Sequence, residues 1–260
     1  PEDATIVARM RAAGALLIGK ANMHEIGIGV TGINPHHGAT RNPYDPGCSP
    51  GGSSSGSAAA VGSGLVPIAL GADGGGSIRI PASLCGVVGL KATWARLSEH
   101  GVPPLCWSVA HVGPLGASVT DCALAYGVMA GPDPRDPGTA IQPAPHLEDL
   151  DKGDLTGVRV GIYAPWFEDA DPEVVAACRR GVDALVDAGA ELVDVEVEEL
   201  SMLKSAHVIT IIGEMAASQH AHDKKMRGRY GTETRLNLGL AAALGAHDYV
   251  AAQRHPVFQR

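Results

Sequence analysis

Charge is scarce in this chain, and none of it gathers into a basic run. Asp, Glu, Lys and Arg make up 18% of the 260 residues, and the net charge is −8. A protein of this balance lacks the electrostatic footprint of a nucleic-acid binder, so nucleic acid is not expected as a partner. No C-x-x-C pair occurs among Cys48, Cys85, Cys106, Cys122 and Cys178. That argues against a structural zinc site, and an odd number of thiols fits a reducing, cytoplasmic compartment. A signal peptide and an initiating Met are also lacking. The chain opens at Pro1 directly on a helical pattern, as expected of a fragment. No internal repeat is present. The uncharged stretch 46–72 is broken by Pro46, Pro50, Pro67 and a Gly/Ser block. A spanning helix needs about 20 mostly apolar residues, so this stretch reads as buried core.

What is present is globular. Apolar residues reach 45%, enough for one large core. Asp3 can cap a short helix carrying Ile6, Val7 and Met10, closed by Gly14. Residues 15–18 read as a buried strand. Gly and Pro every few positions make 31–52 a loop. A small-residue helix is predicted over 53–63, a strand over 66–70, a short helix near 80–84 and a strand over 87–90. Farther on, a strand at 158–163, a helix starting at Asp171 and a strand at 191–197 form a βαβ pattern. The helix carries Val174, Cys178, Val182 and Leu185 at helical spacing. This predicts an α/β fold with a mostly parallel sheet covered by helices. Residues 132–157, rich in Asp and Pro, read as a connecting segment.

Two glycine-serine loops lie on either side of one helix and one strand. The first is Ser49-Pro-Gly-Gly-Ser-Ser-Ser-Gly-Ser57, the second Gly71-Ala-Asp-Gly-Gly-Gly-Ser-Ile-Arg-Ile-Pro81. The spacing can bring both to one end of a sheet. Gly74, Gly75 and Gly76 can present consecutive N–H groups to a developing oxyanion, with the Ser77 hydroxyl beside them as nucleophile. A flexible linker is the bland alternative, but apolar strand and helix patterns flank both loops. No phosphate-binding G-x-x-x-x-G-K-[ST] follows. Gly52-Ser-Ser-Ser-Gly56 matches the G-x-S-x-G nucleophile elbow, yet the residues before it include Pro46 and Pro50 and cannot form the strand that elbow needs.

The stretches Gly51-Gly-Ser-Ser-Ser-Gly-Ser-Ala-Ala-Ala, Ala69-Leu-Gly-Ala-Asp-Gly-Gly-Gly-Ser-Ile-Arg-Ile-Pro-Ala and Cys85-Gly-Val-Val-Gly-Leu-Lys-Ala-Thr93 together resemble the amidase-signature family. The resemblance extends to Gly19-Lys-Ala-Asn-Met, Thr40-Arg-Asn-Pro, Gly113-Pro-Leu and Ala130-Gly-Pro-Asp-Pro, and covers 1–165 best. It implies a twisted mixed sheet between helix layers, with 1–260 as a single domain truncated at both ends. It also implies a Ser–cis-Ser–Lys triad. Ser77 matches the nucleophile, and Ser53, after a cis peptide, the proton relay. Gly74, Gly75 and Gly76 match the oxyanion loop, and Ser54, Asp73 and Arg79 supporting positions. The lysine of the triad falls upstream of this chain, so the 260 residues alone are expected to be inactive and poorly soluble. No metal or organic cofactor is called for.

Residues 20–34 with Asp73-Gly-Gly-Gly-Ser look like the plant-type fatty-acid amide hydrolases. By that resemblance Gly27 and Gly29 would touch the substrate, a small-molecule and lipophilic amide. The alternative is an amidotransferase of the A type, working within a larger assembly, or a degenerate member serving as an interaction module. A homodimer and peripheral membrane attachment stay open. Lys20 and Lys91 match structural positions rather than the base. His24-Glu25 begins like H-E-x-x-H, but Ile28 stands where the second His is needed. His36-His37 and His220/His222 lack ligand partners at metal spacing.

Overall fold

A computed structural model describes residues 2–197 and 200–254. The chain divides into two compact units. One holds the chain up to Leu147 and from Ser205 onward, the other Glu148–Lys204.

The larger unit begins with α1 (Thr5–Ala12). Its Ile6 is buried with Leu97, Val112 and Met129. Ala4, not Asp3, stands at the N-cap, and Asp3 instead accepts from Arg11 Nε at 3.0 Å. Residues 15–18 do not form the expected buried strand: Leu16 and Ile18 are 90% and 76% exposed. An apolar run becomes a strand only where another backbone supplies ladder hydrogen bonds, and none is made here among the described residues. After the loop come α2 (Ser55–Gly62), β1 (Ile68–Asp73), α3 (Arg79–Leu84), β2 (Val88–Gly89), β3 (His111–Gly116) and α4 (Val119–Met129). Ser118 and Asp121 close a capping box at the start of α4, satisfying two otherwise unpaired N–H groups.

β3 lies between β1 and β2, antiparallel to both, with Ile68 opposite Gly116 and Asp73 opposite His111. The α/β class holds. The expectation of mostly parallel pairing does not hold for this sheet: β1 and β2, joined through α3, run the same way, but β3 lies between them and pairs antiparallel with each. Beneath it, Ala58, Val61, Ile78, Ala82 and Leu115 form a buried cluster. Burying a side chain the size of Leu115 contributes about 1.5–3 kcal/mol.

In the smaller unit, β4 (Arg159–Ile162) and β5 (Glu191–Asp194) pair in parallel, with α5 (Ala164–Phe167) and α6 (Pro172–Asp187) between them. This is the predicted βαβ unit. The apolar spacing of α6 does not make a buried face, since Val174 is 52% and Leu185 39% exposed. The long helix α7 (Leu200–Met226) leads back into the larger unit, followed by α8 (Thr232–Ala241) and α9 (Ala246–Gln253). There Ile212, Met215, Leu238 and Ala241 form a third buried cluster. No described helix is long and apolar enough to cross a membrane. All five cysteines are free thiols.

Candidate active site

β1 ends on Asp73 and releases the chain into the second glycine-serine loop. Asp73 is fully buried. Its carboxylate accepts N–H bonds from Gly76 at 2.7 Å, Ile78 at 3.0 Å and Arg79 at 3.2 Å. The Arg79 guanidinium adds Nε at 3.0 Å and Nη2 at 2.9 Å. Burial alone would raise this carboxyl's pKa, but the guanidinium and the N–H donors outweigh it and hold it below the usual carboxylate range. The loop is therefore bent around an anion. Gly76 takes φ +121°, which an L side chain rarely adopts.

The first loop closes onto the second. The Ser54 N–H donates to the Ser77 carbonyl at 3.1 Å. The Ser54 hydroxyl bridges the Ala72 carbonyl and N–H at 3.3 and 3.2 Å, and the Ser57 hydroxyl donates to the Leu70 carbonyl at 2.7 Å. A Cβ on Gly71 would stand 2.5 Å from Ser54 Oγ, so only glycine permits this approach. The Gly52–Ser53 peptide is cis, as the resemblance implies. α2 starts two residues later than predicted because Ser53 and Ser54 are spent on this junction. Ser53 is 4% exposed. Among the described residues neither the Ser53 nor the Ser77 hydroxyl has a hydrogen-bond partner, and the two are not bonded to each other. Each can reorient by a change of χ1.

Ser77 opens into a cavity of about 330 Å³ together with Gly74 and Gly75. Gly76 does not line it, and its N–H is committed to Asp73. The N–H groups of Gly74, Gly75 and Ser77 have no acceptor among the described residues, and all three residues line the cavity. The opposite wall includes Gly27 and Gly29. A Cβ on Gly27 would lie 3.8 Å from Ser53 Oγ, and one on Gly29 would collide with the His24 ring at 2.3 Å. Ile28, Leu105, Val208 and Ile211 make the remaining surface largely apolar, with Glu233 and Asn237 of α8 as polar elements.

Sequence reasoning missed three contributors. His207, on α7, lines the cavity and places Nε2 2.7 Å from the Gly74 carbonyl. Cys106 also lines it, but burial first and the Glu214 carboxylate second push its thiol up to about 12, so it is no nucleophile near neutrality. Glu25 ties the Glu25–Gly27 turn to α8: its carboxylate accepts from the Gly231 N–H at 2.9 Å and the Thr234 hydroxyl at 2.5 Å, and faces His36 Nε2 at 3.2 Å. No local motif marks any of the three. Lys20 is exposed, and Lys91 Nζ donates to the Ala92 carbonyl at 2.6 Å. Neither lines the cavity. Among the described residues no cluster of His, Cys, Asp and Glu is arranged to hold a metal.

The family model named Amidase matches residues 1–255. A fatty acid amide hydrolase of Oryza sativa subsp. indica is 41% identical over 261 residues, which is 97% of this chain and 43% of that protein. A component of the glutamyl-tRNA(Gln) amidotransferase of Roseiflexus sp. (strain RS-1) is 45% identical over 210 residues, 80% of this chain and 42% of that protein. A solved inhibitor-bound vestigial protein complex, described as revealing the evolutionary origins of an s-triazine catabolic enzyme, superposes with a TM-score of 0.89 at 38% identity. That match covers 99% of this chain and 56% of the other. The chain thus spans less than half the length of these two curated relatives.

Proposed function

The chain belongs to the amidase family, and from that premise we propose that it carries the acyl-transfer half of a serine amide hydrolase. The observation that carries the reading is the junction of the two loops. The Ser54 N–H is bonded to the Ser77 carbonyl at 3.1 Å, and Ser77 shares its cavity with unpaired glycine N–H groups. Ser77 Oγ attacks the substrate carbonyl while its proton passes to Ser53 and on to a neutral lysine, the base, which lies outside these residues. The N–H groups of Gly75 and Ser77 stabilise the tetrahedral oxyanion, with Gly76 and Asp73 shaping the loop behind them. Losing one such donor typically costs about 3–4 kcal/mol of transition-state stabilisation. Collapse of the intermediate breaks the C–N bond, and Ser53 returns a proton to the departing amine. Water, activated by the same relay, then releases the acid and regenerates Ser77.

The substrate under this reading is a lipophilic amide. The apolar walls from Ile28, Leu105, Val208 and Ile211 support it, as does the likeness to a protein named fatty acid amide hydrolase. An amidotransferase of the A type is the second reading, favoured by the 45% identical amidotransferase relative. It differs in passing ammonia to a partner chain rather than turning over alone. A fluorophosphonate probe on the full-length protein should label Ser77, and Ser77→Ala should abolish labelling and turnover together. Higher kcat/KM for long-chain than for two-carbon acyl amides supports the lipophilic substrate. Preference for short or charged amides removes it, and label on Ser54 instead of Ser77 removes the mechanism.

A further inference from the structure

We propose that His207 is a positioning residue for the oxyanion loop. Its Nε2–H holds the Gly74 carbonyl and so fixes the direction and strength of the Gly75 N–H, the other end of the same peptide unit. This rests on the reading of Ser77 as the nucleophile.

Three observations support it. His207 Nε2 stands 2.7 Å from the Gly74 oxygen. A carbonyl can only accept, so this nitrogen carries the proton. Among the described residues that bond is the only one made by the peptide joining Gly74 to Gly75. A peptide between two glycines can rotate as a unit at little steric cost, and such a flip would turn its N–H away from the cavity. The His207 bond selects one orientation. Second, the imidazole also lies against Gly75: a Cβ there would be 3.1 Å from His207 Cε1. The ring therefore braces the loop on the cavity side while Asp73 braces Gly76 behind it. Third, the helix that carries His207 is anchored. Met215 is fully buried and Ile212 nearly so, both packed with Leu238 and Ala241.

The same bond has an electronic effect. A hydrogen bond accepted at the carbonyl polarises the peptide and makes its N–H a better donor. The residue thus acts on the transition state through Gly75, without touching the reacting atoms itself.

The test uses the full-length protein with His207→Leu and His207→Gln. The glutamine amide N–H can reach the same carbonyl, whereas leucine fills the space without a donor. His207→Leu is expected to lower kcat by about 30- to 100-fold, somewhat less than outright loss of a donor, with KM changed by no more than about threefold. His207→Gln should return kcat to within about fivefold of wild type. Affinity for a substrate-like aldehyde, which forms a tetrahedral adduct on serine, should fall in step with kcat/KM, while affinity for the product acid stays constant. Unchanged kcat in His207→Leu, an effect confined to KM, or glutamine no better than leucine would each overturn the proposal. Should the leucine variant fail to fold, His207→Ala against His207→Gln makes the same comparison. Fluorophosphonate labelling of the wild type keeps the two readings apart. Label on Ser77 with indifferent His207 variants sinks only the positioning role, whereas turnover without label on Ser77 sinks the serine mechanism beneath it.

Discussion

Asp73 and Arg79 grip each other across the turn that carries Ser77. Both carboxylate oxygens receive the guanidinium, at 2.9 and 3.0 Å, yet the two residues are unequally placed. Asp73 is fully buried while the Arg79 side chain is 56% exposed. The carboxylate also collects three backbone N–H groups, which bend the loop and turn the Gly76 N–H away from the cavity.

That asymmetry sets the first expectation. Asp73→Asn removes the buried anion and leaves N–H groups and a guanidinium facing a neutral amide. It should destabilise the protein by about 3 kcal/mol and lower kcat more than a hundredfold. Arg79→Ala leaves the three N–H donors in place and faces solvent, so its effect should not exceed about 1–2 kcal/mol. The sign of the acid response follows from the depressed pKa of Asp73. Its contribution is present above the unfolded carboxyl value and is lost as pH falls through the folded one. Urea midpoints measured from pH 7 downward should therefore drop less steeply in Asp73→Asn than in wild type. An equal acid slope in the two proteins would count against this account.

A second carboxylate behaves oppositely. Burial raises the Glu99 pKa to about 7, helped by the Asp136 charge and resisted by the Val112 N–H it accepts at 2.7 Å. A carboxyl whose folded pKa lies above the unfolded one contributes stability below the unfolded value, and that contribution is lost as pH rises through about 7. Glu99→Gln keeps an oxygen for Val112 and cannot ionise. It should match wild type near pH 4 and exceed its stability at pH 8, by up to about 3 kcal/mol. Calorimetric Tm against pH checks this, and a glutamine variant less stable at pH 8 would refute it.

The sequence is legible where one contiguous stretch does the work. Gly71, Gly74 and Gly76, with Ser53, Ser54 and Ser77, meet because α2 and β1 join the two loops over a short span, and glycine is required where Ser54 packs on Gly71. The βαβ unit was likewise readable from alternation and helical spacing. His207 was not, since it reaches Gly74 across 133 residues and stands in a helix without a motif. Nor was Glu25, whose partners Gly231 and Thr234 lie more than 200 residues away. Residues 15–18 mislead for the opposite reason. Their apolar run is local, while strand formation depends on a neighbouring backbone that local pattern cannot report.

The last expectation concerns the base. A serine hydroxyl is a weak nucleophile until a nearby group takes its proton. The two lysines of this chain nearest to the family's motifs do not offer themselves: Lys20 is exposed, Lys91 bonds the Ala92 carbonyl at 2.6 Å, and neither lines the cavity with Ser77. The 260 residues by themselves, even when folded by circular dichroism, should therefore show no amide turnover. A longer protein that restores an upstream lysine should turn over, and changing that lysine to Ala should remove the activity while leaving the urea midpoint nearly unchanged. In the same longer protein Lys20→Ala and Lys91→Ala should stay within about threefold of wild-type kcat, the scale of a substitution distant from chemistry. Hydrolysis by the 260 residues alone, abolished by either Lys20→Ala or Lys91→Ala, would move the base inside this chain and overturn the assignment.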